Sequence, residues 1–228
     1  MTDITEHLST IRERVRIAAQ HAGKSADDVT IVAVSKQQPA DAIQRAYHAG
    51  QRHFGESYVQ EAERKIEALA ELDIIWHFIG RIQANKTRFI AEHFHWVHTV
   101  DRERIARRLA EQRPYHAPPL NVMIQVNLEG EPQKGGVSAA DVEPLARTIV
   151  SFDKLALRGL MTIPPAGLAD DETAAHFGRL AALAADLAAR GLPMDTLSMG
   201  MSGDYEIAIA AGSNCVRIGS AIFGERDG

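Results

Sequence analysis

The chain has 228 residues, 45% hydrophobic and 24% charged, with 17 glycines, 9 prolines and a mean hydropathy of -0.18, which excludes collagen-like, disordered and disulfide-stapled classes. A single cysteine, Cys215, forbids an intrachain disulfide, a zinc ribbon and a zinc finger, and fits a reducing compartment. The net charge of -5, from 25 Lys and Arg against 30 Asp and Glu, argues against nucleic acid as a partner of the global field.

The opening residues, MTDITEHLST, lack the basic and apolar regions of a signal peptide. No window offers the ~18 uninterrupted apolar residues of a membrane helix. The expectation is a cytoplasmic protein that does not engage a membrane.

In chain order, residues 4–22 read as an amphipathic helix, with Leu8, Ile11 and Val15 on one face and Gly23 as its stop. The run TIVAVS at 30–35 is continuously apolar, as in a parallel strand covered on both faces. Pro39 is placed to open a helix that runs to Gly50; a short strand is predicted at 52–55 and a helix at 58–69. Further strands are predicted at 74–79, 96–100, 121–126, 156–161, 196–199 and 215–218. Helices fall between them at 84–92, 102–111, 139–151, 172–189 and 205–211. Eight βα units with right-handed crossovers close as an open doubly wound sheet or as a barrel. Eight units favour a (β/α)8 TIM barrel with an extra N-terminal helix, in a single domain over 1–228; the short second and seventh strands are its weakest elements.

In a barrel the site lies at the C-terminal ends of the strands. That rule selects Lys36, Glu56 and Ser57, His77 and Arg81, Asn127, Met161 and Thr162, Ser202 and Gly203, and Arg217, Gly219 and Ser220. Of six lysines only Lys36 directly follows a buried-strand run. Partial desolvation there favours the neutral amine that Schiff-base chemistry requires, although a lysine snorkelling from a strand end has the same sequence appearance. The segments MGMSGD at 199–204 and VRIGS at 216–220 place small residues after strands seven and eight, where barrels often hold phosphate; ordinary turn chemistry is the alternative. Arg217, inside an apolar strand, needs either a structural ion pair or a ligand heteroatom. His77 lies on a strand leading to the same face, though a hydrogen-bonded core histidine reads the same way. The spacing of His93, His95 and His98 does not match a metal site.

These segments together resemble one family. IVAVSK, FGESYVQE at 54–61, WHFIG at 76–80 with Gln83, Asn85 and Lys86, IQVN at 124–127 with Glu131, Lys134 and Gly136, GLM at 159–161, LSMGMSGD and VRIGSAIFGER are similar, in order and spacing, to the pyridoxal phosphate homeostasis proteins. Those proteins are in turn similar to the barrel domain of alanine racemase. The resemblance covers about residues 30–226. It implies pyridoxal 5'-phosphate (PLP) as cofactor, joined to Lys36 as a Schiff base. It also implies phosphate contacts from Ser202, Gly203 and the Gly219 and Ser220 backbone, with Arg217 facing the pyridine nitrogen and Ser57 and His77 completing the cofactor's surroundings. Ser57 departs from the family, which usually has Asn there.

The implied role is vitamin B6 homeostasis without a catalytic activity of its own, acting indirectly on amino- and keto-acid pools, with PLP-dependent apoenzymes as recipients and a monomer or weak dimer as the assembly. Opposite an arginine the pyridine ring stays neutral and is a poorer electron sink. The racemase's second domain, with its opposing tyrosine, has no counterpart in this sequence. A stand-alone PLP-dependent racemase and a cofactor-free Schiff-base aldolase are the competing readings.

Overall fold

The run Thr-Ile-Val-Ala-Val forms strand β1 (Thr30–Val34), whose Val32, Ala33 and Val34 are buried, as expected for a β-branched segment covered on both faces. The computed structural model describes residues 3–131 and 135–224; Lys134 and the Glu225-Arg226 end of the last motif lie outside them. After β1 come β2 (His53–Glu56), β3 (Ile75–Phe78), β4 (Trp96–Val100), β5 (Leu120–Gln125), β6 (Leu155–Met161), β7 (Thr196–Ser198) and β8 (Cys215–Ile218). All pair in parallel and in chain order, and β1 returns to β8, closing the barrel. The fold is therefore the predicted α/β TIM barrel.

Helices α1 (Ile4–His21), α2 (Ala40–His48), α3 (Val59–Ala68), α4 (Thr87–His93), α5 (Glu103–Gln112), α6 (Ala139–Val150), α7 (Asp170–Ala189), α8 (Tyr205–Ala210) and α9 (Ser220–Phe223) surround it. Among the described residues no helix is long and apolar enough to cross a membrane. The predicted 84–92 helix divides into a 3-10 turn (Ala84–Lys86) and α4. α7 starts two residues ahead of prediction because the Glu172 carboxylate accepts from the Ala169 N–H, and three acidic residues fill its first turn. α9 is too short for periodicity to reveal.

α1 is capped by Asp3, whose carboxylate accepts from the Thr5 and Glu6 N–H groups. Its buried stripe of Leu8, Ile11, Val15 and Ala19 packs against α2, α8 and α9, across the seam where β8 meets β1. Arg14 donates twice to Glu206 of α8 at 2.9 and 3.0 Å, and His7 Nδ1 lies 3.0 Å from the Ile222 carbonyl.

Two features shape the inside of the barrel. At Gly159 on β6, with φ +153°, an added Cβ would lie 1.9 Å from the Thr196 carbonyl oxygen, so β6 and β7 approach more closely than any side chain permits. The interior also carries a polar file. His98 of β4 meets Ser198 of β7 at 2.8 Å, and these strands are not neighbours in the sheet, so the bond crosses the inside. Barrel interiors more often hold branched aliphatic side chains.

Candidate cofactor site

A cavity of about 270 Å³ opens at the C-terminal mouth of the barrel. Its polar wall is formed by Lys36, Ser57, Ser202, Gly203, Arg217, Gly219 and Ser220, and its apolar wall by Val34, Ile79, Met161, Ile163 and Met201. Seven of the eight residues expected at a cofactor thus converge from four loops and β8. The eighth, His77, does not line this cavity.

Lys36 is half-buried, two residues beyond β1. The chain is held tightly on both sides of it. Before it, the Ser35 carbonyl accepts from Lys65 Nζ at 2.6 Å; after it, the Gln37 N–H donates to Glu61 at 2.5 Å. Gln37 has φ +63°, a left-handed conformation of a non-glycine residue, which turns the chain sharply beside the lysine. Lys65 also donates to Glu56 at 2.8 Å and to Glu61 at 2.6 Å, and Ser35 Oγ donates to Glu56 at 2.6 Å. Glu56 is fully buried; burial raises its pKa against the opposing pull of Lys65 and Ser35, and its Oε2 has no hydrogen-bond partner among the described residues. Desolvation offsets most of what such a buried pair gains, so its main effect here is to fix position.

This bracket was not legible in the sequence. Glu61 and Lys65 stand four apart on α3, the spacing of a solvent-facing helix pair. Only the fold turns that lysine inward.

Arg217, on β8, is 4% exposed. Its Nη1 donates to Ser198 Oγ at 2.6 Å and its Nη2 to the Thr162 carbonyl at 3.0 Å. Among the described residues it has no carboxylate within ion-pair distance, so the structural ion pair considered from the sequence is replaced by neutral acceptors. Burial pushes its pKa down. A guanidinium held by neutral groups at a cavity wall keeps its charge for whatever occupies the cavity.

The loops after β7 and β8 complete the polar wall. Ser202 Oγ accepts from the Gly219 and Ala221 N–H groups at 3.2 and 3.3 Å, joining the loop after β7 to the turn after β8. The N–H groups of Ser202, Gly203 and Ser220 have no hydrogen-bond partner among the described residues. Unspent amides on small residues suit an anion.

His77 projects into the barrel interior, where His53 Nδ1 lies 2.9 Å from its Nε2 and His98 Nε2 lies 2.9 Å from its Nδ1. Its ring stacks on Trp96 at 9° and 5.6 Å between centroids. Burial, and then the neighbouring histidines, hold His77 well below the usual imidazole range; burial and then Arg217 do the same for His98. Asn127 is used within its own loop, donating to the Glu131 carbonyl and accepting from its N–H. Thr162 Oγ1 donates to the Val126 carbonyl and meets His176 at 3.0 Å. Arg81 lines a separate hollow with Gln83 and Lys86. His95 accepts from the Trp76 N–H.

A lysine, an arginine, a set of free amides and an apolar wall around one cavity fit a flat aromatic aldehyde that carries a phosphate. With the fold, they define a barrel of the kind found in the alanine racemase N-terminal domain, and the sequence profile of that family matches residues 7–227. The chain is 48% identical over 233 residues to the pyridoxal phosphate homeostasis protein of Escherichia coli K12, covering all of this chain and 98% of that one. It is 51% identical over 227 residues to the one from Pseudomonas aeruginosa, covering all of this chain and 97% of that one. PipY of Synechococcus elongatus PCC7942, solved with PLP bound, superposes with a TM-score of 0.86 at 38% identity, over 97% of this chain and 100% of that one. Alanine racemase from Corynebacterium glutamicum shares the fold, with a TM-score of 0.67 at 18% identity, over 97% of this chain and 62% of that one. The chain belongs to the pyridoxal phosphate homeostasis protein family.

Proposed function

We propose that this protein binds PLP reversibly at the C-terminal mouth of its barrel, as a Schiff base on Lys36, and serves intracellular vitamin B6 homeostasis without a dedicated catalytic activity. The observation that carries this reading is the convergence of Lys36, Arg217 and the unspent amides of Ser202, Gly203 and Ser220 on one cavity. Bound there, PLP would supply an aldehyde able to condense with a primary amine with loss of one water. Lys36 provides the amine, oriented by the Lys65–Glu61 bracket on either side of it. Ser202, Gly203, Gly219 and Ser220 receive the phosphate, and Ser57 and the apolar wall border the ring. Arg217 would meet the pyridine nitrogen, and His77, outside the cavity lining, would act only from behind it.

The same residues argue for holding over turnover. Arg217 cannot accept a proton from the ring nitrogen, so the ring stays a weak electron sink. Among the described residues of the wall, only Lys36 could act as a proton-accepting base, and racemisation needs one on each side of the reacting carbon. Amino- and keto-acid pools would then respond indirectly, through the supply of PLP to apoenzymes in the cytoplasm.

The test is the visible spectrum of the PLP-loaded protein before and after borohydride, beside Lys36→Ala. The wild type is expected to show a violet-absorbing band that reduction bleaches, and the variant to bind PLP more weakly with none trapped. Trapped PLP in the variant overturns the assignment. Conversion of L- to D-alanine or serine by substoichiometric wild-type protein replaces the carrier with a racemase.

A further inference from the structure

We propose that His53, His77 and His98 form a hydrogen-bonded positioning relay that runs through the barrel from its N-terminal mouth to Arg217 and makes the arginine's anchorage depend on protonation at that mouth. The inference rests on the reading of Arg217 as the residue that faces the pyridine nitrogen. Every link is short: 2.9 Å from His53 to His77, 2.9 Å from His77 to His98, 2.8 Å from His98 to Ser198, and 2.6 Å from Ser198 to Arg217. His77 and His98 are almost fully enclosed, whereas His53 is only half-buried beside a second cavity at the N-terminal mouth. The file therefore has one end in reach of solvent and the other on a group that lines the cofactor cavity.

Its hydrogen-bond polarity follows from the donors available. Arg217 can only donate, so Ser198 Oγ always accepts from it. When His53 is neutral with its proton on Nε2, the file can run outward. Ser198 then donates to His98 Nδ1, His98 Nε2 to His77 Nδ1, and His77 Nε2 to His53 Nδ1.

When His53 is protonated it donates from both nitrogens, and the file must run inward. His77 and His98 then carry their protons on Nδ1, His98 donates to Ser198 Oγ, and the serine proton turns to Cys215, its other neighbour. One proton is taken up from solvent at His53, and every other residue keeps its number of protons, the His77 and His98 rings exchanging an Nε2–H for an Nδ1–H. In the outward state Ser198 donates into a polarised chain and is the stronger acceptor for Arg217; in the inward state it accepts from two donors and holds the arginine more weakly.

The groups facing His53 allow this titration but work against it. The cavity at its mouth brings Asp28, Arg158, Asp195 and Cys215, and His95 opposes its charge. On the outer side a hollow adds Arg12, Glu13 and Arg16 of α1, with Asp27 and Arg52. Burial and His95 lower its pKa, so the switch falls on the acid side of the ordinary imidazole range.

The experiment is 15N NMR of the histidine rings across pH in the PLP-free protein, for the wild type and His53→Gln, a conservative change at the half-buried end. In the wild type, the Nδ1–H fractions of His77 and His98 should rise together with the titration of His53, while both rings stay neutral. In His53→Gln they should not change with pH. In parallel, the wild type's dissociation constant for PLP should rise about fivefold across the same midpoint, the effect of weakening one hydrogen bond, and should lose that step in the variant. Tautomers of His77 or His98 that ignore His53, or an identical PLP step in the variant, overturn the relay. If Lys36 holds no PLP at all, the proposed function fails, and the NMR titration of the PLP-free protein still decides the relay.

Discussion

The two mouths of the barrel enclose cavities of the same size, about 270 Å³ each, yet their hydrogen-bonding groups are used in opposite ways. At the N-terminal mouth the polar groups satisfy one another. Arg158 donates twice to Asp195 at 3.0 Å and once to Asn121 at 3.0 Å, its guanidinium lies 5.0 Å from the Trp96 ring, and Asn214 donates to the Asp195 carbonyl at 2.7 Å. At the C-terminal mouth three amides are left unspent among the described residues, and Arg217 meets only neutral partners. Volume does not separate a site from a crevice here. The separation lies in which groups keep hydrogen-bonding capacity in reserve, because a buried polar group without a partner is costly unless something else supplies one.

The largest test of that contrast is a matched pair of substitutions. A Cβ at Gly80 would lie 2.0 Å from the carbonyl oxygen of Ser57, so Gly80→Ala must displace the loop after β2 that brings Ser57 to the upper cavity. We expect a loss of about 3 kcal/mol in urea unfolding, together with weakened PLP binding. Arg158→Ala at the lower mouth removes a half-exposed ion pair and should cost about 1 kcal/mol or less while leaving PLP affinity unchanged. Equal effects of the two on PLP would erase the distinction between the mouths.

Acid should act through the interior. His77 and His98 are held neutral in the fold, whereas in the unfolded chain they titrate near pH 6.5. Below that pH the unfolded chain binds protons that the native state refuses, so stability present above about pH 6.5 is lost as pH falls, by up to about 1.4 kcal/mol per pH unit for each histidine. Glu56, raised by burial, works in the opposite direction, and only near the carboxylate range. Urea midpoints at pH 7.5, 6.5 and 5.5 measure the slope; a flat series would show that the file accepts protons in the native state. The smallest effect is expected from Ser57→Asn, which restores the family's usual side chain at the cavity edge. It should tighten PLP binding a few-fold, readable by fluorescence titration, by adding one neutral hydrogen bond.

Much of the barrel was legible because its strands are buried on both faces and so stand out as short apolar runs between helical periods, as IVAV does ahead of Lys36. β7 was the faintest, since only three residues of it pair. Lys36, Ser202 and Ser220 could be placed around one cavity because all strands of a barrel end at the same mouth, so their convergence follows once the strands are counted. Side chains that depend on closure were not legible. His98 and Ser198 are 100 residues apart in sequence, and no local pattern announces that they touch. His77 was placed on the correct strand, and of its two readings, a residue of the mouth or a hydrogen-bonded core histidine, the structure shows the second, in the file below Arg217. The apolar wall of Ile79, Ile163 and Met201 resembled ordinary loop and strand composition.

The ladder from β1 to β8 has a consequence in time. Lys36 follows the first strand, while Arg217 lies on the last and the Ser220 turn comes after it, so residues that line one cavity come from opposite ends of the synthetic sequence. During translation the lysine leaves the ribosome early and waits for its partners until nearly the whole barrel has emerged. Contacts so distant in sequence are the slow ones in folding. A nascent chain therefore carries the lysine before the amides of Ser202, Gly203 and Ser220 stand beside it, and on the proposed function retention of PLP would report that the seam has closed.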